Sequence, residues 1–205
     1  MRLTLTTFVT LDGVVQAPGG PDEDPSGGFE YGGWLVPYAD DDMAQAMAGF
    51  FAEADAFLLG RRTYEIFAAW WPKVTDPDDP IAGPLNNLPK YVASRTLQDV
   101  SWEGSTLLKG DVATEVAEFK RRPGRELQVH GSGGLAQTLM QHDLVDEYRL
   151  LTYPVVLGEG KRLFADGAKP AALNLIEHKA TSTDVSIDVY TPAGEPTYGS
   201  FDLGE

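Results

Sequence analysis

Three short runs in this 205-residue chain place glycines, hydroxyls and arginines where a β-type run gives way to a helical one, a chemistry suited to a phosphate-bearing ligand. The first, Val129-His130-Gly131-Ser132-Gly133-Gly134-Leu135, sets a glycine-rich turn before an apolar-periodic stretch that reaches Met140. Such a turn lets backbone amides approach a phosphate closely, and the helix start adds unpaired N–H groups and partial positive charge. It departs from the GxGxxG spacing, so a plain tight connection fits it equally well. The second, Leu58-Leu59-Gly60-Arg61-Arg62-Thr63-Tyr64-Glu65, opens a helix on two arginines and a threonine. Cations are unfavourable at the positive end of a helix unless an anion offsets them; the alternative is a pair of solvated arginines on an acidic surface. The third, Tyr91-Val92-Ala93-Ser94-Arg95-Thr96, holds Arg95 between two hydroxyls, and a guanidinium fork suits a phosphate monoester. Three such strand ends agree with the rule that ligands of α/β sheets bind outside the carboxyl ends of the strands.

Other residues have a second reading beside a chemical one. Asp12, in Asp12-Gly13 after the first strand, is placed to contact a substrate or relay a proton, or simply to form a turn. Tyr64, Trp70 and Trp71 form either an aromatic wall or core packing. Phe29, Tyr31 and Trp34 make the Gly-, Pro- and Asp-rich stretch from 16 to 37 too aromatic for a plain linker, so it is expected to cap a site or to be pinned to the body.

The elements that must position these residues follow from periodicity. Strands are expected at 2–11, 56–59, 90–93, 105–108, 126–130, 145–152, 171–180 and 185–191, and helices at 40–54, 62–71, 111–121 and 135–142. The stretch from Lys73 to Pro89 reads as loop. Alternation of strands and helices up to residue 142 implies an α/β fold with a mostly parallel central sheet, helices on both faces, and antiparallel C-terminal strands. One domain over residues 1–192 and a tail over 193–205 are expected.

Composition narrows the function classes. The chain has no cysteine and only three histidines, His130, His142 and His178, without metal-ligand spacing, so no metal is expected. A formal net charge of −15 disfavours nucleic acid and anionic membranes as partners. No apolar run approaches a membrane span, and the opening Met1 to Gly13 lacks the features of a secretory signal, so a cytoplasmic location is expected.

The motifs Thr10-Leu11-Asp12-Gly13, Gly60-Arg61-Arg62-Thr63-Tyr64-Glu65, Ser94-Arg95-Thr96, His130-Gly131-Ser132-Gly133-Gly134-Leu135, Val145-Asp146-Glu147 and Pro154-Val155-Val156-Leu157-Gly158-Glu159-Gly160 together resemble the dihydrofolate reductase superfamily. They are most similar to its branch containing the RibD C-terminal reductase domain of riboflavin biosynthesis, over about residues 2–191. The resemblance implies a three-layer dihydrofolate reductase-like fold, a homodimer and NADPH as cofactor. It implies that Gly60, Arg61, Arg62, Thr63, Ser94, Arg95 and Thr96 surround the adenosine phosphates and that Gly131, Ser132, Gly133, Gly134 and Leu135 follow the pyrophosphate. Hydride would pass to a pterin-like or pyrimidine-like heterocycle, as in 5-amino-6-(5-phosphoribosylamino)uracil reductase, with Asp12, Asp42, Tyr64 and Trp34 as candidate substrate contacts. Two positions depart from the riboflavin pattern: Thr6 stands where a lysine is expected and His130 where a glutamate is expected. Dihydrofolate reductase activity and a non-catalytic nucleotide-binding protein are the alternatives.

Overall fold

The structure, a computed structural model, describes residues 1–201. β1 (Arg2–Thr10) lies inside the sheet between β5 (Glu126–His130) and β6 (Glu147–Tyr153), parallel to both. Because it is covered on both faces, its alternation is not apolar against polar. Leu3 and Leu5 pack on one side while Thr4, Thr6 and Phe8 share the other. β2 (Ala54–Gly60), β3 (Lys90–Ala93) and β4 (Ser105–Leu108) extend the parallel sheet beyond β5. On the other flank β8 (Ser186–Pro192) pairs antiparallel with β6, and β7 (Leu173–Ala180) pairs antiparallel with β8, giving the order β4-β3-β2-β5-β1-β6-β8-β7.

Helices cover both faces. α1 (Asp41–Ala52), α2 (Arg61–Trp70) and α3 (Ala82–Asn87) close one core through Met47, Phe51, Tyr64 and Leu85. α4 (Val112–Arg121) and α5 (Gly133–Gln141) close the other through Val116, Phe119, Ala136 and Leu139. None of the helices is long and apolar enough to cross a membrane among the described residues. The stretch 73–89, expected to be loop throughout, contains α3. Its signal is faint because Pro84 falls inside a single short turn, and the helix is held by tertiary contacts, with Ala82 and Leu85 buried. Of the expected tail, residues 202–205 lie outside the described residues.

The face under α1 carries a buried charged layer. Arg149 binds Glu126 and Glu147, each at 2.7 Å, and Arg2 reaches the same two carboxylates from the edge. Its guanidinium also lies over the Phe50 ring, 4.6 Å from the centroid. A buried ion pair of this kind is tolerated only where hydrogen bonds satisfy the remaining polar atoms, as they do here.

Candidate functional site

Strands β2, β3, β4 and β5 end on one cleft of about 1100 Å3, to which β1 adds Thr6, Thr7 and Phe8. At the end of β5, Gly131 and Ser132 are both left-handed, with φ of 54° and 56°, and turn the chain sharply into α5. Only the first is a glycine; the serine adds a hydroxyl to the turn. Ser132 Oγ accepts from the Gly60 amide at 3.0 Å and lies 3.0 Å from Thr63 Oγ1, tying the start of α5 to the start of α2. A side chain at Gly133 would come within 3.3 Å of Val15, so the turn also packs tightly against the loop after β1.

The four longer helices divide by how they begin. In α1 and α4 an aspartate, Asp40 or Asp111, accepts the amide of Met43 or Thr114. α2 and α5 have no side-chain cap and no acidic residue in the first turn. Their first amides therefore lack side-chain partners among the described residues at the place where positive helix potential meets the cleft.

The cations around this region are engaged to different degrees. Arg61 binds Glu65 at 2.8 Å and Thr96 Oγ1 at 2.7 Å. Arg62 pairs with Asp24, as does Lys161 at 2.6 Å, and both reach Ser26. Arg162 donates to the Asp12 carbonyl at 2.9 Å. Arg95 lines the cleft with no partner for its guanidinium among the described residues, beside Ser94, whose hydroxyl accepts the Leu97 amide at 3.0 Å.

Much of the cleft lining is apolar. Met43, Met47, Phe51, Phe67, Trp71 and Ile81 supply the walls, and His130 lies flat on Phe51 with ring centroids 4.3 Å apart. Burial, with the nearby Arg149 charge, pushes the His130 pKa down to about 3, so the ring is neutral. Its strand neighbour Thr6 is 2% exposed and its Oγ1 has no partner among the described residues.

Gly60, Arg61, Arg62, Thr63, Ser94, Arg95 and Gly131 through Leu135 all line this one cleft, and Thr96 stands behind it against Arg61. The four candidate substrate contacts are placed elsewhere. Asp12 accepts from Thr10 Oγ1 at 2.6 Å and from the amides of Leu157 and Gly158, which holds its pKa down to about 2 and makes it a staple between β1 and the loop after β6. Asp42 accepts the Ser182 amide at 2.9 Å in the β7–β8 turn. Tyr64 is core, its hydroxyl accepting the amides of Ser101 and Trp102. Trp34 is 7% exposed and donates to the Gln16 carbonyl at 2.7 Å. The 16–37 stretch is thus pinned from within, yet its residues Gln16, Ala17, Pro18, Glu23 and Asp24 form one wall of the cleft.

Leu108, Gly110, Asp111, Val112, Lys161 and Arg162 also line the cleft and carry no motif that marks them. For the first four, the strand-to-helix junction at Leu108-Lys109-Gly110-Asp111 was the available signal. Lys161 and Arg162 are brought in by a bridge between Val14 and Arg162 that links segments far apart in sequence.

Comparison with known proteins agrees with this geometry. The sequence profile of the RibD C-terminal domain matches residues 2–187. The uncharacterized protein YyaP of Bacillus subtilis (strain 168) is 30% identical over 191 residues, 92% of this chain and 94% of its own length. YwjB of the same organism is 25% identical over 85% of this chain and 88% of its own. Among solved structures, the deaminase/5-amino-6-(5-phosphoribosylamino)uracil reductase of Thermotoga maritima has a TM-score of 0.61 at 13% identity, covering 94% of this chain and 56% of that one. Dihydrofolate reductase from Enterococcus faecalis, solved with NADP(H), has a TM-score of 0.58 at 14% identity, covering 94% and 96%. At these identities the two structures show a shared fold.

Proposed function

The chain belongs to the RibD C-terminal domain family, and from that premise we propose that it is an NADPH-dependent reductase of a small pterin-like or pyrimidine-like heterocycle. The observation that carries the reading is the pairing of two uncapped helix starts, α2 and α5, with the unpartnered Arg95 on the same cleft. Amides at the Gly131 to Leu135 turn would hold a pyrophosphate, and Arg95 with Arg61, Ser94 and Thr96 would hold a further phosphate on the adenosine side. Bound NADPH supplies the hydride. The protein's own contribution is to align the acceptor ring on the apolar floor near His130 and Thr6 and to exclude water with the walls from α1, α2 and the 16–24 segment. Asp12 is not given a proton-transfer role, since its oxygens are consumed by backbone amides away from the floor.

A homodimer is part of the same proposal. β7 is an edge strand with Leu175 and Ile176 more than half exposed, an apolar edge of the kind usually covered by a partner strand. Titration with NADPH and NADH tests the cofactor reading: preference for NADPH is expected, and absence of binding by either at millimolar concentration would overturn it.

A further inference from the structure

The buried charges under α1 continue into a hydrogen-bond chain that ends at the cleft. Glu126 accepts from both terminal nitrogens of Arg149, at 2.7 and 3.0 Å, and its Oε2 also accepts from Gln128 Nε2 at 2.7 Å. The same Gln128 nitrogen donates to the Phe50 carbonyl at 2.6 Å. A carbonyl only accepts, so the Gln128 amide has its nitrogen turned toward Phe50 and Glu126 and its oxygen toward His130. That oxygen lies 3.0 Å from His130 Nε2. An amide oxygen also only accepts, so Nε2 carries the proton and Nδ1 of the neutral ring carries a lone pair.

Nδ1 has no partner among the described residues, and the ring that bears it lines the cleft. Thr6, paired with His130 across β1 and β5, has an Oγ1 that also lacks a partner among the described residues but is sealed from solvent. A ring nitrogen that lines a cleft without a partner from the described residues is open to a ligand's hydrogen-bond donor.

Taking the cleft as the substrate site proposed above, we infer that Gln128 is a positioning residue that locks His130 as its Nε2–H tautomer, so that Nδ1 accepts a hydrogen bond from a substrate N–H or amino group. An anionic oxygen directed at Nδ1 meets a lone pair and is rejected, and so the floor selects a neutral ring edge that carries a proton. Gln128 does not line the cleft and acts only through His130.

The test uses 15N NMR of the His130 imidazole, assigned by its loss in His130→Asn, in the full chain. The expected wild-type signature is a protonated Nε2 and a bare Nδ1, and Gln128→Met is expected to give mixed tautomers. Protonation at Nδ1 in the wild type, or a tautomer unchanged in Gln128→Met, overturns the lock. The wild-type spectrum decides the question even where the variant does not fold. In NADPH-saturated protein, uracil is expected to move the Nδ1 resonance while 1,3-dimethyluracil, which has the same carbonyls and no N–H, leaves it in place. Equal movement by both, or none by either, overturns donor selection. Failure to bind NADPH would instead overturn the reductase reading, with the tautomer of the free protein read independently of it.

Discussion

His130 Nε2 lies 3.0 Å from Gln128 Oε1, one strand repeat away on β5, and this bond joins the cleft floor to the buried Glu126–Arg149 pair. Charge inside the domain and polarity in the cleft are therefore one connected arrangement.

His130 should remain neutral from about pH 8 to about pH 5, because burial lowers its pKa to about 3 from an ordinary value near 6.5. The unfolded chain binds a proton below about 6.5 that the folded chain refuses down to about 3. Stability contributed by this group is thus present above pH 6.5 and is lost progressively as pH falls toward 3. An NMR titration showing His130 protonating near pH 6 would contradict this; His130→Phe should flatten the acid limb of the stability curve.

Glu126 and Arg149 are 2% and 4% exposed, so removing Glu126 leaves the buried Arg149 guanidinium with Glu147 alone of its two carboxylates. Glu126→Ala is expected to cost about 3–5 kcal/mol, and a Glu126→Leu, Arg149→Met pair considerably less than the sum of the two single changes. Burial works to raise the Glu126 pKa, but hydrogen bonds from Arg149 and Arg2 outweigh it and the net direction is down. The contribution is therefore present above the ordinary glutamate pKa and fades below it. Denaturant melts at pH 7 and at about pH 3 measure both effects.

Arg95→Ala should weaken NADPH binding about 10- to 100-fold and change NADH binding about twofold at most, since a charge-assisted bond to a phosphate is worth about 1.5–3 kcal/mol. Equal losses for the two cofactors would place the extra phosphate elsewhere. Fluorescence titration of the tryptophans reads either result.

Ser132→Ala should cost about 1–2 kcal/mol in stability, because it leaves the Gly60 amide and Thr63 Oγ1 without their shared partner. NADPH affinity is expected to fall severalfold as the starts of α2 and α5 uncouple. Ser132→Gly should lose less stability, since glycine adopts the 56° φ of this position without strain. Thermal melts of the two variants compare the lost bonds with the relieved backbone.

Asp12→Ala is expected to lower stability by about 1–2 kcal/mol through the freed Leu157 and Gly158 amides. The Asp12 pKa is depressed to about 2, chiefly by the Thr10 hydroxyl, so this contribution is present above pH 4 and is lost as pH falls toward 2. Binding of NADPH should be nearly unchanged. A large loss of cofactor affinity in this variant would return Asp12 to the site.

What could be read from the residues alone was what is local. Gly60 and Gly131 announced strand-to-helix junctions, the alternation of segments gave the mostly parallel sheet, and the motif set pointed to the family the chain belongs to. Gathering of the predicted cofactor residues around one cleft followed, because parallel strands put all their carboxyl ends on one side. Asp12 and Tyr64, each open between a contact role and a structural one in the sequence, do not line the cleft, because they are drawn to the backbone amides of Leu157, Gly158, Ser101 and Trp102, which no local pattern brings near them.

The character of the cleft floor was decided only in three dimensions. In sequence, His130 is a histidine where the riboflavin branch has a glutamate, and its chemistry is open. The fold buries it on Phe51 and sets Gln128 against its Nε2, with Phe50 and Glu126 fixing the Gln128 amide and Arg149 fixing Glu126. Protonation state and tautomer depend on desolvation and on the nearest donors and acceptors, and those come from α1, β5 and β6 together.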